Sequence, residues 1–229
     1  MADPDDIRRL AEFVRANVDF RRDLGRDYGY AHLPMCVIDA IFSIGVGYGS
    51  VKAVVARYAA WADLAQFRLD AADDHQQTIS EFCDLIEPLG PERFAEVVNN
   101  RCRTSTTNGI LKADAVARFA TVLRDHGIED FADVPTAIKD SDLDKALRSV
   151  KGQGSGISTK YFFMLAGDDT TVKPDRMLVR FCTRALERKV TPTEAGTLVI
   201  AAAGALSEPA MTVTPRDLDH AIWSWQRSR

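Results

Sequence analysis

Apolar residues return at steps of three and four along almost the whole of this 229-residue chain, and two-residue alternation is nearly absent. A buried stripe with that period suits a helix and not a strand, so the pattern predicts an all-α fold. Ile7, Leu10, Ala11, Val14 and Val18 form the first stripe, with Asp3 and Asp5 placed to cap it. A second apolar segment covers 33–44, with Pro34 in its first turn, and Gly45, Gly47 and Gly49 break it. Ser50 is expected to cap a third helix carrying Val51, Val54, Val55, Tyr58 and Trp61. Further helices are expected over 78–87, 91–98, 112–125, 141–150, 157–166, 175–189, 193–206 and 215–226. The polar stretches 70–77 and 99–109 read as connections and as the best places for a lobe boundary.

Composition narrows the class. With 46% hydrophobic and 27% charged residues, the chain has enough apolar surface for one large domain or two small ones. A net charge of -4 excludes a uniformly basic, histone-like binder. It does not exclude a local basic face, because a field depends on where the charges sit. Cys36, Cys83, Cys102 and Cys182 show no C-x-x-C and no His at zinc-ligand spacing, which predicts buried free thiols in a reducing compartment. His32, His75, His126 and His220 are scattered and predict structural roles. The first residues are acidic, unlike a secretory signal. The longest apolar run, 198–206, is far short of the roughly 20 residues a spanning helix needs. A soluble, cytoplasmic protein is the expectation.

The segment from Val150 to Ser158 places three alternating glycines, Gly152, Gly154 and Gly156, between two segments of helical period. A dinucleotide-binding turn needs a strand before it, and a Walker loop needs Lys-Ser or Lys-Thr after its last glycine. Neither context is present, so no nucleotide cofactor is expected. What remains is helix, tight turn, helix. Glycines leave backbone amides uncovered, and the second helix presents its positive end at the same turn. Such a turn can hold a phosphate without reading sequence. The plain alternative is a simple helix-helix corner.

Spacing adds to this. Asp175 stands 23 residues after Gly152, at the start of the next helical segment. Val150-Lys151-Gly152-Gln153-Gly154, the apolar run 161–165, the loop 167–173 and Asp175 together resemble the helix-hairpin-helix (HhH-GPD) DNA glycosylase superfamily. Ile41-Phe42-Ser43-Ile44 is similar to the family's early loop. The closer resemblance covers about 60 residues. It implies a two-lobed helical fold with the active-site cleft between lobes: one lobe over 32–150, the other formed by 1–31 and 151–229. It implies hydrolysis of the N-glycosidic bond of a damaged or modified base in double-stranded DNA, with Asp175 as the catalytic carboxylate that stabilises the sugar cation and orients or activates a water. Three departures stand out. Gln153 occupies a hydrophobic hairpin position. Gly156 occupies the place of the Schiff-base lysine, which implies a single-function hydrolytic reaction. The four-cysteine iron-sulfur loop is absent.

The resemblance further implies DNA contacts at Lys151, Gly152, Gln153, Gly154, Ser155, Gly156, Lys160, Lys173, Arg176 and Arg180. It implies a monovalent cation, K+ or Na+, on the hairpin carbonyls, and no side-chain metal site. The base-stack plug position falls near Gly45–Tyr48, and since glycine cannot fill a base-stack hole, the plug is either Tyr48 or a residue from elsewhere. Asp39, Tyr28 and Tyr30 are pocket candidates. Residues 151–189 carry a net charge of +4 against -8 for the remainder, as a phosphate-binding face would. Arg101, Arg103 and Lys112 form a second basic cluster. A monomer on nucleoid DNA is implied. A non-catalytic DNA-binding module with the same fold is the alternative, because an Asp at a helix start needs no role beyond capping.

Overall fold

The computed structural model describes residues 2–20, 29–46, 48–68, 75–209 and 211–228. Among them the chain is all-α, with isolated bridges in place of strands. The helices are α1 (Pro4–Asn17), α2 (Leu33–Phe42), α3 (Tyr48–Trp61), α4 (Ile79–Ile86), α5 (Gly90–Val97), α6 (Lys112–Asp125), α7 (Val134–Ala137), α8 (Ser141–Ser149), α9 (Ile157–Leu165), α10 (Arg176–Leu186), α11 (Pro192–Leu206) and α12 (Pro215–Arg227). None is long and apolar enough to cross a membrane.

Their starts follow local chemistry. Asp3 caps α1, and Asp140 accepts the amides of Asp142 and Leu143 at the start of α8. Thr78 with Glu81, Thr191 with Glu194 and Thr214 with Asp217 form reciprocal capping boxes at α4, α11 and α12. Each cap satisfies amides that the first helical turn leaves without partners. Ser50 does not cap α3, which already begins at Tyr48.

Two compact units divide the chain: Arg26–Gly167 is one, and Met1–Gly25 with Asp168–Arg229 is the other. In the larger unit α2 is buried along its whole length and packs against α3, α6 and α9. Phe119 of α6 meets Phe162 of α9 edge-on at 5.5 Å. The smaller unit packs α1, α10, α11 and α12 together. Phe181 of α10 stands between Phe13 at 5.5 Å and Trp225 at 5.3 Å.

This division corrects the expected lobes. The glycine turn and α9 belong to the larger unit, and only the chain from Asp168 onward joins α1. The cause is apolar: five of the nine α9 residues, Tyr161 to Leu165, are buried in the core that contains α2. A core of that size outweighs the sequence proximity of α9 to α10.

Candidate functional site

The turn between α8 and α9 is built tightly. Gln153 N–H donates to Val150 O at 2.9 Å, and Gly156 N–H donates to Gln153 O at 2.9 Å. Gly152 (φ +95°) and Gly156 (φ +71°) hold conformations that side-chain-bearing residues avoid. At Gly152 an added Cβ would lie 2.7 Å from Thr104 Oγ1, so the 99–109 loop rests directly on the turn. Gly152, Gly154 and Ser155 are exposed. Among the described residues nothing accepts a hydrogen bond from their amides. Lys151 and Lys160 are exposed on either side. Open amides beside two cations are groups that can hold an anion without reading sequence.

Two members of the expected DNA-contact set do not fit that role. Gln153 is fully buried, and its Oε1 accepts the hydroxyl hydrogen of Ser158. Its Nε2 is buried and has no partner among the described residues. Gly156 is buried, spends its amide inside the turn and lies against the Arg148 side chain. The hairpin carbonyls fit an added monovalent cation poorly. Those of Val150, Gln153 and Gly156 already accept backbone amides, and Gly154 O accepts from the Arg148 guanidinium at 3.2 Å. No chemical step is assigned to such an ion.

Gln153 yields a direct prediction. Replacing Gln153 by Leu together with Ser158 by Ala removes an unpartnered buried donor and its hydroxyl partner at once. The double variant gains about 1 kcal/mol, a rise in Tm of about 3 °C by thermal denaturation. A fall in Tm would mean that a bound water or ion satisfies Gln153.

In the smaller unit Asp175 caps α10. Its Oδ1 accepts Met177 N–H at 2.7 Å and Leu178 N–H at 3.2 Å. Among the described residues no donor reaches Oδ2, and the residue is half-buried. Arg176 and Arg180 are exposed on the same helix and make no ion pair among the described residues. Arg188 is held by Asp6 and Glu194. Lys173, expected to meet phosphate, is half-buried, and its charge acts on Asp219.

Asp219, on α12, is the residue that sequence reading missed. Its carboxyl accepts the Lys173 backbone amide, and burial, then the charge of Asp175, pushes its pKa up to about 8. Elsewhere in this unit a cavity of about 490 Å³ is lined by Asn17, Asp19, Asp217, His220, Ser224 and Trp225 among others. Burial holds His220 below its usual pKa.

Asp39 is fully buried, and its Oδ2 accepts the Tyr30 hydroxyl at 2.7 Å, with Tyr30 itself stacked on Phe67. Both are core residues, because an ionisable group on the wholly buried α2 requires an internal partner. Tyr28 and Gly47 lie outside the described residues, as does the side chain of Tyr48. Lys112 is buried, and its Nζ donates to Phe42 O at 2.9 Å and Ile44 O at 2.6 Å. It neutralises the negative end of α2 instead of meeting solvent. Arg101 is paired with Glu92 and Glu96. Cys102 is exposed, unlike the other three cysteines.

Residues 8–227 match the family described as "Domain of unknown function (DUF8548)". No curated protein and no solved structure matches the chain. That match spans nearly the entire sequence, both compact units included, and the chain therefore belongs to the DUF8548 family.

Proposed function

We propose that this protein is a single-function DNA glycosylase of helix-hairpin-helix type that acts on a damaged or modified base in double-stranded DNA. The observation that carries the reading is Asp175: one carboxylate oxygen is locked by two amides, and among the described residues no donor reaches the other. The open turn between α8 and α9 supports it from the binding side.

In this reading the amides of Gly152, Gly154 and Ser155, with Lys151 and Lys160, hold a backbone phosphate. Arg176 and Arg180 add positive charge beside the acid. The target nucleotide leaves the stack at a cost of a few kcal/mol, least where it is mispaired. The C1′–N bond breaks with its electron pair on the base, and positive charge develops on deoxyribose. Asp175 stabilises that charge and orients a water. The water oxygen bonds to C1′, and one of its protons ends on the released base. Gly156 offers no amine for a covalent intermediate, so the reaction ends at an abasic site. The protein acts as a monomer without a nucleotide cofactor, on nucleoid DNA in the cytoplasm.

A strand-cleavage assay tests the chemistry. Duplexes carrying uracil, hypoxanthine, alkylpurines, oxidised purines or modified cytosines are incubated with the protein and then heated in alkali. Cleavage of at least one duplex, lost in Asp175→Asn with DNA binding retained, is the expected result. Intact strands across the panel with binding retained favour the second reading, a DNA-binding module without chemistry. The completeness of the Asp175 cap favours that reading, since capping alone accounts for an Asp at this position.

Binding has its own test. Lys151→Glu with Lys160→Glu weakens affinity for every duplex alike and lowers the slope of log affinity against log salt by about 2. An unchanged slope would remove the turn from the DNA interface.

A further inference from the structure

One face of α10 carries charge that nothing among the described residues neutralises. Arg176, Arg180 and Arg184 are exposed and stand four residues apart, so they share one side of the helix. Leu178, Phe181, Cys182, Ala185 and Leu186 are buried on the opposite side and fix α10 in its unit. Three guanidinium groups are thus displayed along a rigid element over about 12 Å, the rise of eight residues. An acid closes the row at each end: Asp175 caps the start, and Glu187 follows the last turn with φ +55°. Between them α10 has no acid.

Arginines on other helices show how readily such charge is matched. Asp5 and Glu12 hold Arg8 of α1, Glu96 holds Arg93 of α5, and Asp114 holds Arg118 of α6, each acid three or four residues from its partner. Arg9 and Arg15 of α1 donate instead to the carbonyls of Leu186 and Ala205. The three arginines of α10 have neither kind of partner among the described residues. Arg184 lies over the Trp225 ring, 5.4 Å from its centroid, and a ring contact consumes none of its N–H donors. Trp225 is buried against Phe13 and Phe181, so it gives that guanidinium a fixed rest. The partner that fits is a row of anions. One strand of a duplex carries a phosphate for about every 3.4 Å of its axis, so about three phosphates span the length of the row. A protein partner would call for an apolar centre, and none of the exposed large apolar side chains, Trp61, Leu85, Ile138 and Ile200, lies on α10.

We propose that Arg176, Arg180 and Arg184 form a phosphate track: one strand of a DNA duplex lies along the outer face of α10 and leads to Asp175 at its start. The track rests on the reading of this protein as one that binds double-stranded DNA, and it adds Arg184, more than two helical turns from the acid, to the interface. Its contacts are sequence-blind, because guanidinium groups on phosphates position a duplex without reading its bases. The acids at the two ends limit the track to the length of α10.

Titration of the full chain with an undamaged duplex at several salt concentrations tests the track without depending on cleavage. Arg184→Gln lowers the slope of log affinity against log salt by about 1, and the triple change of Arg176, Arg180 and Arg184 to Gln lowers it by about 3, for every duplex sequence alike. Arg184→Lys keeps the charge and most of the slope. Arg8→Gln is the control, since that guanidinium is already held by Asp5 and Glu12, and it leaves the slope unchanged. The substitutions lie on the solvent side of α10, so thermal denaturation of each variant matches the wild type. The proposal is overturned if the triple variant keeps the wild-type slope, or if Arg8→Gln lowers it as much as Arg184→Gln does, which would make the effect one of net charge. A triple variant with the wild-type slope beside a lowered slope in Lys151→Glu with Lys160→Glu removes the track and keeps the DNA reading. A wild type that binds no duplex at low salt removes both. If the slopes fall as expected while no duplex is cleaved, the excision reading fails and the track stands.

Discussion

Asp175→Asn is expected to lower the proposed base excision by about 10²- to 10³-fold and to leave the fold intact. Asparagine has a side-chain oxygen in the same place, so the amides of Met177 and Leu178 keep their acceptor. Stability therefore changes by a few tenths of a kcal/mol, within the spread among good cap residues. What is lost is a full negative charge. Removing one preorganised electrostatic group from a reacting centre costs about 3 to 4 kcal/mol, a fall of 10²- to 10³-fold in kcat. Asp175→Ala adds a second defect: without a cap oxygen, α10 loses about 1 kcal/mol and Tm falls by about 3 °C. The pair of variants thus separates chemistry from capping. Retained excision in Asp175→Asn would reduce Asp175 to a cap residue, and the DNA-binding module would then be the better description.

The parts of this architecture that were legible in the sequence are those fixed by near neighbours. The stripe of Leu10, Ala11 and Val14, the Asp3 cap of α1 and the glycines of the turn all act within one helical turn of themselves. The start of α10 at Asp175 belongs with them, since a cap is a bond to the next two or three amides. Other features depend on what arrives from far along the chain. Lys112 reads as an exposed cation at a helix start, and only the carbonyls of Phe42 and Ile44 make it a core residue. Gln153 looks like a polar contact until its burial is seen. Asp219 sits in a run of charged residues on α12 with the appearance of a solvated face, and its meeting with Lys173 and Asp175 is tertiary. The division of the chain at Gly167 has the same origin. Which core an apolar helix joins depends on the partner that covers it, and periodicity carries no such information.

Gly152→Val produces the largest loss of stability expected from any single change in the turn. Valine is β-branched and strongly disfavours the positive φ of +95° found there, a backbone cost of about 1 to 3 kcal/mol. Its Cβ also falls 2.7 Å from Thr104 Oγ1 and within the Thr104 side chain. Thr104 has little freedom to withdraw. Its amide donates to Ile110 O at 2.9 Å, and Arg103 pairs with Leu111 across the base of the same loop. Either the turn or the 99–109 loop must move, and the combined cost is about 3 to 5 kcal/mol, or a Tm lower by about 10 °C. Gly154 is the control. Its φ is not positive, and an added Cβ would find only Arg148 O, at 4.0 Å. Gly154→Ala therefore gains about 0.5 kcal/mol by restricting the unfolded chain. It places a methyl beside the open amides, so its Kd for DNA rises while Tm does not fall. Differential scanning calorimetry and DNA titrations at fixed salt distinguish the two glycines. Wild-type stability in Gly152→Val would mean that the Thr104 loop does not rest on the turn, and the cradle would lose the wall that holds its shape.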